Sequence, residues 1–193
     1  MKTNIRQYAV KGFTLIELLI VVIIIAIMAA IAIPQFGNST AEATDAALDA
    51  NLNTVRSAIE LYRVQHNNIL PGVREATGAG NACTAAGGVA GTGLANTALA
   101  FSDQMTMHSN RAGQTCTVFI PGYDNGPYLR AIPRDPVTPA ADANGNAVAV
   151  TNGVLAPIAA GGGAAGWRYS LVTGRFEMNS VALDRNQRAF NTH

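Results

Sequence analysis

The sequence predicts an α+β protein: a long N-terminal helix, one half membrane-spanning and one half amphipathic, packed on a small C-terminal antiparallel sheet. Three observations predict it. Phe13–Ile33 is an apolar run of 21 residues interrupted only by Thr14 and Glu17. Between Asp45 and Arg63 an apolar and a polar stripe interleave at helical spacing. Near the C-terminus, Trp167, Tyr169, Phe176 and Met178 alternate with Arg168, Ser170, Arg175 and Glu177 around Val172-Thr173-Gly174, the pattern of a β-hairpin with one buried face.

The apolar run comes first. At about 1.5 Å per residue, a helix of that length spans roughly 30 Å, the hydrocarbon thickness of a bilayer. In lipid the backbone must satisfy its own hydrogen bonds, so the run is a helix. Glu17 is its anomaly. A carboxylate at a helix centre costs about 2.5–3.5 kcal/mol on insertion scales, less toward an end, so Glu17 needs a partner. A secretory signal peptide is one reading, with small residues near Met28–Ala32 as a cleavage site, but its apolar core is usually about 7–15 residues. A plain single-pass anchor is another, and it leaves Glu17 unexplained. Orientation follows from the flanks. Lys2, Arg6 and Lys11 precede the run without an acid, and Glu42, Asp45 and Asp49 follow it before the first base, Arg56. The positive-inside rule places the N-terminus in the cytoplasm and the bulk of the chain outside.

The residues entering the run narrow these alternatives. Lys11-Gly12-Phe13-Thr14-Leu15-Ile16-Glu17 resembles the processing site of type IV prepilins and of the pseudopilins of type II secretion. The resemblance implies a leader, residues 1–12, removed after Gly12 by a membrane prepilin peptidase. It implies N-methylation of the new terminal residue, Phe13, and a role in filament assembly for Glu17, the fifth mature residue, which would pair with the Phe13 amine of a neighbour. The expected division is then 1–12 leader, 13–35 transmembrane and assembly helix, and 36–193 periplasmic pilin-like globular domain. The whole chain carries a formal charge of +1, so net charge suggests no polyanionic partner and no nucleic acid. Removing the leader leaves ten basic against twelve acidic side chains.

Pro34 follows the run and would kink or end a helix. The next residues favour a kink. Leu48, Leu52, Val55, Ile59 and Tyr62 step by three and four, as do Asp45, Asp49, Asn53, Arg56, Glu60 and Arg63. The helix is expected to reach His66, ended by Asn67-Asn68 and Pro71-Gly72. Residues 72–98, rich in Gly, Ala, Asn and Thr, read as loop. Leu94, Ala98, Phe101 and Met105 mark a short helix over Leu94–His108. Cys116–Ile120 reads as a strand, Gly122–Pro139 as an ordered turn-rich connection, Asp142–Asn146 as a turn, Ala147–Val150 as a strand and Gly161–Gly166 as a hinge. The hairpin's Trp167, Tyr169, Phe176 and Met178 are expected to face Leu52, Val55, Ile59 and Tyr62.

Cys83 and Cys116 lie in a segment expected outside the cytoplasm, where thiols oxidise. A bridge closing that loop contributes about 3–4 kcal/mol on the chain-entropy model, against the alternative of two separate thiols. The bridge is expected, since Cys83 lies in a loop that needs tying down. No catalytic set emerges: His66, His108 and His193 are scattered as surface or cap residues, with no zinc cluster, phosphate loop or nucleophile elbow. Trp167 and Tyr169 could stack on a ligand, but hairpin core packing is the expected role. Arg130, Arg134 and Arg168 read as a solvated face.

The order of the long helix, a variable middle, Tyr128-Leu129-Arg130, Ile132-Pro133, Arg134-Asp135-Pro136, Gly166-Trp167-Arg168-Tyr169 and Thr173-Gly174-Arg175-Phe176 is similar to the G-type major pseudopilins. That resemblance implies a structural subunit of a filament that helps a type II secretion system export folded proteins, with no enzymatic role. The alternatives are a type IV pilin of surface fibres used in adhesion, motility or DNA uptake, and a membrane-anchored periplasmic binding module. Implied partners are copies of itself, other pilins or pseudopilins, the prepilin peptidase and an inner-membrane assembly platform. The implied location is the inner membrane, single pass, with the globular domain periplasmic, or an extracellular filament for a true pilin. No cofactor is expected from the residues. Calcium in the C-terminal loops is implied by the resemblance alone, without matched ligands: Asp142-Ala143-Asn144-Gly145-Asn146 lacks the sixth-place glycine of a calcium loop, and Gly153 stands where its glutamate belongs.

Overall fold

The computed structural model describes residues 13–137, 145–158, 165–184 and 186–192. The leader, the hinge residues 161–164, most of the Asp142–Asn146 turn and His193 lie outside them. The chain forms two compact units, Met1–Ala41 and Glu42–His193. One helix, α1 (Leu15–Gln65), contributes to both, and Pro34 does not end it.

Within the second unit α1 supplies one wall of the core. Leu48, Leu52, Val55, Ile59 and Tyr62 are buried, the apolar stripe read from the sequence. Its end is set by Asn67 and Asn68, which take positive φ of 55° and 65°, a conformation asparagine tolerates. The Asn68 N–H closes on the Arg63 carbonyl at 2.8 Å, and the Arg63 Nε donates to the Asn68 side chain at 2.6 Å.

The other wall is a three-stranded sheet of β3 (Val148–Thr151), β4 (Trp167–Ser170) and β5 (Phe176–Met178), in that spatial order. β4 and β5 are the expected antiparallel hairpin, with Trp167 opposite Met178 and Tyr169 opposite Phe176. β3 joins β4 in parallel, so the sheet is mixed rather than wholly antiparallel. The sequence read Ala147–Val150 as a strand but not its direction. The connection from Thr151 to Trp167 is long enough for the crossover that parallel pairing requires.

Trp167, Tyr169, Phe176 and Met178 join the α1 stripe in one cluster with Phe101, Met105, Leu129, Ile132 and Phe190. Trp167 lies 5.2 Å from Phe176 and Phe101 lies 4.6 Å from Tyr169, centroid to centroid, distances at which aromatic pairs add about 0.5–1.5 kcal/mol beyond their buried area. The Trp167 indole donates to the Pro133 carbonyl at 2.7 Å. That bond, with buried Leu129 and Ile132, orders the proline-punctuated connection. Gly166 admits no side chain there, since a Cβ would run into the Gly145 carbonyl and the Asp135 carboxylate.

Three expectations are corrected. The helix expected over Leu94–His108 is α3 (Ala98–Thr106). It begins late because Thr97 caps it, its hydroxyl accepting the Ala100 N–H at 3.1 Å, and Leu94 is left exposed. The strand expected over Cys116–Ile120 is only β2 (Thr115–Cys116), paired antiparallel with β1 (His108–Ser109). Residues 72–98 are a built segment rather than a plain loop. They contain a short helix, α2 (Gly80–Ala85), whose Cys83 is bonded to Cys116 with Cα atoms 5.7 Å apart. Around the bridge, Ala79, Cys83, Cys116 and Ile120 make a second small core.

Two polar side chains of α3 hold the rest of that segment. Gln104, fully buried, accepts the Gly72 N–H at 2.6 Å and donates to the carbonyls of Arg74 and Gly113, both at 3.0 Å. Asp103 accepts the N–H groups of Thr92 and Gly93 at 2.9 and 3.0 Å. A glycine-rich stretch that cannot bury side chains is thus ordered through its backbone.

The hairpin's second face departs from expectation too. Ser170 and Glu177 are buried. Glu177 is ion-paired with Arg168, its cross-strand neighbour, and with Arg175 at 2.6 Å. Arg168 also donates to the Ala156 carbonyl, and Ser170 to the Gly153 carbonyl at 2.7 Å. Segment 153–156 meets these side chains and shields what would otherwise be a wet face. Arg168 therefore does not belong to a solvated basic surface.

Candidate functional site

The start of α1 carries the candidate function. Thr14 stands just before the helix, and its carbonyl accepts the Leu18 N–H at 3.3 Å. Its hydroxyl oxygen accepts the Glu17 N–H at 3.3 Å. In return, one Glu17 carboxylate oxygen, Oε2, accepts both the Thr14 backbone N–H and the Thr14 hydroxyl, each at 2.8 Å. This reciprocal pairing of residues three apart is a capping box, which satisfies helix-start donors that have no partner within the helix. Glu17 therefore has a partner before any neighbour arrives. Thr-x-x-Glu was legible at positions 14–17 as a helix-start signature. The sequence reading took Glu17 as an anomaly in an apolar run and as the fifth mature residue of the motif, and did not pair it with Thr14.

The turns that follow are apolar on every side. Leu15–Ala32 is long and apolar enough to cross a membrane. Phe13, Leu15, Met28 and Ile31 are each more than 60% exposed, and the large apolar residues between them, on all faces, are 46–64% exposed. A helix apolar all round finds its environment in lipid or among other helices, not in water. Gly12 lies outside the described residues, so no geometry is assigned to the cleavage position.

The first helix offers a further surface within the second unit. Ala43, Ala47, Ala50, Thr54, Ser57, Leu61 and Val64 are exposed at alternating steps of four and three, forming a second stripe beside the one that enters the core. Small residues at this spacing let helix backbones approach closely.

One pair of side chains has the outline of catalytic chemistry. The Ser109 Oγ and His66 Nε2 lie 3.1 Å apart, the separation of a nucleophile and its base. Both residues are buried, at 0% and 1% exposure, so no substrate reaches them. The ring's other nitrogen, Nδ1, donates to the Tyr62 backbone carbonyl at 2.9 Å rather than to an orienting carboxylate. His66 directly follows α1 and its ring bonds a carbonyl of the last turn, the expected cap role, but it is buried rather than at the surface. Burial holds its pKa below the ordinary histidine value. Among the described residues no three His, Cys, Asp or Glu side chains come together as metal ligands, and no step through calcium is derived.

Comparison with known proteins bears on the helix start directly. Residues 8–33 match the prokaryotic N-terminal methylation motif. Over part of its length the chain is similar to type IV pilins. It is 51% identical over 59 residues to the type IV narrow pilus major component PilA5 of Thermus thermophilus, covering 31% of this chain and 51% of that protein. It is 47% identical over 58 residues to the type IV wide pilus major component PilA4 of the same organism, covering 30% of this chain and 44% of the relative. The type IV major fimbrial protein FimA of Dichelobacter nodosus is 54% identical over 50 residues, covering 26% of this chain and 32% of that one. The chain thus spans about half or less of the length of these relatives. No solved structure gives a significant match.

Proposed function

We propose that this chain is a non-enzymatic subunit of a pilus-like filament. It is stored in the inner membrane through Phe13–Ile33 with its globular part in the periplasm. A prepilin peptidase removes Met1–Gly12, and Phe13 gains a methylated, positively charged α-amine. In the filament, Glu17 meets the Phe13 amine of a neighbour, and the apolar turns pack among the same turns of other subunits. Identical subunits then repeat through contacts that do not close. The observation that carries this reading is the capped start of α1 inside a matched methylation motif, followed by turns apolar on every face. The exposed stripe from Ala43 to Val64 extends the helix-packing surface beyond the membrane.

Of the two filament jobs, the relatives' names favour a component of a type IV pilus. The second reading, a type II secretion pseudopilin working with an inner-membrane assembly platform, rests on the order of turn and hairpin motifs from Tyr128 to Phe176. One experiment tests the shared claim and then separates the two. Replacing Gly12 with leucine is expected to leave full-length precursor in the membrane and no shear-released filaments, whereas wild type matures to N-methyl-Phe13. Normal maturation of the leucine variant contradicts the proposal. Deleting the gene is expected to remove surface fibres if the chain is a pilin, and to trap folded exoproteins in the periplasm if it is a pseudopilin.

A further inference from the structure

The pair Asn-Gly occurs three times in the chain, at 125–126, 144–145 and 152–153, and the filament reading uses none of them. Asn144 lies outside the described residues. The other two pairs stand in opposite settings. In such a pair the glycine nitrogen can attack the asparagine side chain, provided that the peptide unit joining them is free to turn. Glycine favours that turn because it has no Cβ to restrict it.

Asn152 and Gly153 directly follow β3, and Asn152 is exposed. The Thr151 carbonyl before them accepts the Leu171 N–H at 2.9 Å. The Gly153 carbonyl after them accepts the Ser170 hydroxyl at 2.7 Å. Between these fixed points, the peptide unit joining Asn152 to Gly153 carries one long hydrogen bond among the described residues, from the Gly153 N–H to Thr151 Oγ1 at 3.4 Å. The unit joining Asn125 to Gly126 is pinned instead. Its carbonyl accepts the Ser109 N–H at 2.8 Å, and the Asn125 N–H donates to the Ser109 carbonyl at 3.1 Å. Gly126 is also crowded, since a Cβ there would meet the Met107 carbonyl at 2.7 Å, whereas a Cβ at Gly153 would meet only Thr151 Oγ1, at 3.9 Å.

We propose that Asn152 is a self-modification site, converted by Gly153 and water into aspartate or isoaspartate. The Gly153 nitrogen, its proton lost to solvent, attacks Asn152 Cγ with its lone pair. The N–Cγ bond forms, the Cγ–Nδ2 bond breaks, and Nδ2 leaves as ammonia with protons from water. A second water then opens the cyclic imide. Opening at Cγ gives aspartate. Opening at the main-chain carbonyl gives isoaspartate, in which the backbone runs through Cγ and is one atom longer. Either product adds a negative charge at the end of β3. The isoaspartyl link also displaces the Gly153 carbonyl that Ser170 holds. With the bond from Arg168 to the Ala156 carbonyl, that contact fastens residues 153–156 to β4, so the longer link loosens the segment. The reaction needs neither lipid nor a second copy and is independent of the filament reading.

The experiment holds the full chain in detergent micelles at mildly alkaline pH and maps its peptides by mass spectrometry over time, with enzymatic methylation to mark isoaspartyl carboxylates. Asn152 is expected to lose its amide about tenfold or more faster than Asn125, whose backbone hydrogen bonds must open first. The loss is expected to quicken as pH rises, because the attacking nitrogen must shed its proton. Gly153→Ala has room for its Cβ at a φ outside the left-handed region, so the fold is kept while the methyl crowds the attack, and conversion is expected to slow several-fold. Limited proteolysis within 153–158 is expected to be faster in the isoaspartyl fraction than in Asn152→Asp, which gains the charge without the longer link. An Asn152 that keeps its amide as long as Asn125 does, or that converts equally fast in Gly153→Ala, would overturn the site. Equal proteolysis of the isoaspartyl fraction and Asn152→Asp would overturn the loosening.

Discussion

The segment Leu15–Ala32 and the unit Glu42–His193 meet the hydrophobic effect in opposite ways. The first leaves nearly every large apolar side chain exposed and makes no core of its own. The second buries Trp167, Tyr169, Phe101, Phe176 and the α1 stripe in one cluster. An element that ignores its own chain must find partners elsewhere, in lipid or in other copies. An element that is already satisfied needs none to fold. On the proposed function the first region serves assembly and the second folds on its own, and each prediction below is a way to break or sharpen that assignment.

The largest effect is expected at Glu17. Glu17→Val removes both the capping partner of Thr14 and the partner proposed for the Phe13 amine, and is expected to abolish shear-released filaments while membrane content and cleavage after Gly12 persist. Glu17→Gln keeps a capping side chain but no charge. It is expected to insert normally and still lose filaments, which separates the cap from the charge pair. Wild-type filament yield from the glutamine variant would remove the charge pair from the account.

Next comes the core. Trp167→Ala empties a fully buried indole site and orphans the Pro133 carbonyl, so a loss of about 3–5 kcal/mol is expected. Thermal unfolding by near-ultraviolet circular dichroism measures it. Membrane insertion should be unchanged, and if insertion also fails, the two regions are not independent.

Replacing Cys83 and Cys116 together by serine reopens the loop and is expected to cost about 3–4 kcal/mol. Limited proteolysis should then cut first within residues 76–92, since α2 and the small core depend on the bridge. A smaller effect is expected at Thr97, where replacement by alanine removes the cap of α3 and costs about 1 kcal/mol. A shift in the denaturant midpoint, with unchanged slope, reads it.

The two regions also differ in how far the sequence disclosed them. The apolar run, the α1 stripe and the β4–β5 hairpin were legible because each repeats one property at a fixed period. The segment 72–98 was not, because its order comes from single polar residues, Asp103 and Gln104, which bond distant backbone and leave no periodic trace. Alternation implied that Glu177 faces water, but it is buried with Arg168 and Arg175 paired to it, and only the fold shows it. At the candidate site, Gly12, Phe13 and Glu17 were named from a motif, whereas Thr14 was overlooked although its spacing to Glu17 was in plain view. His66 was read as a surface or cap residue, and its burial was not legible because nothing local in sequence reports that Ser109 and Tyr128 come to meet it.

The division of labour is tested most directly by the fragment beginning at Glu42, expressed under oxidising conditions without the apolar turns. It is expected to be soluble, to sediment as a monomer and to unfold in one cooperative transition, and to form no filaments at any concentration reached. A fragment that aggregates, stays unfolded or polymerises would contradict the assignment of folding to one region and assembly to the other.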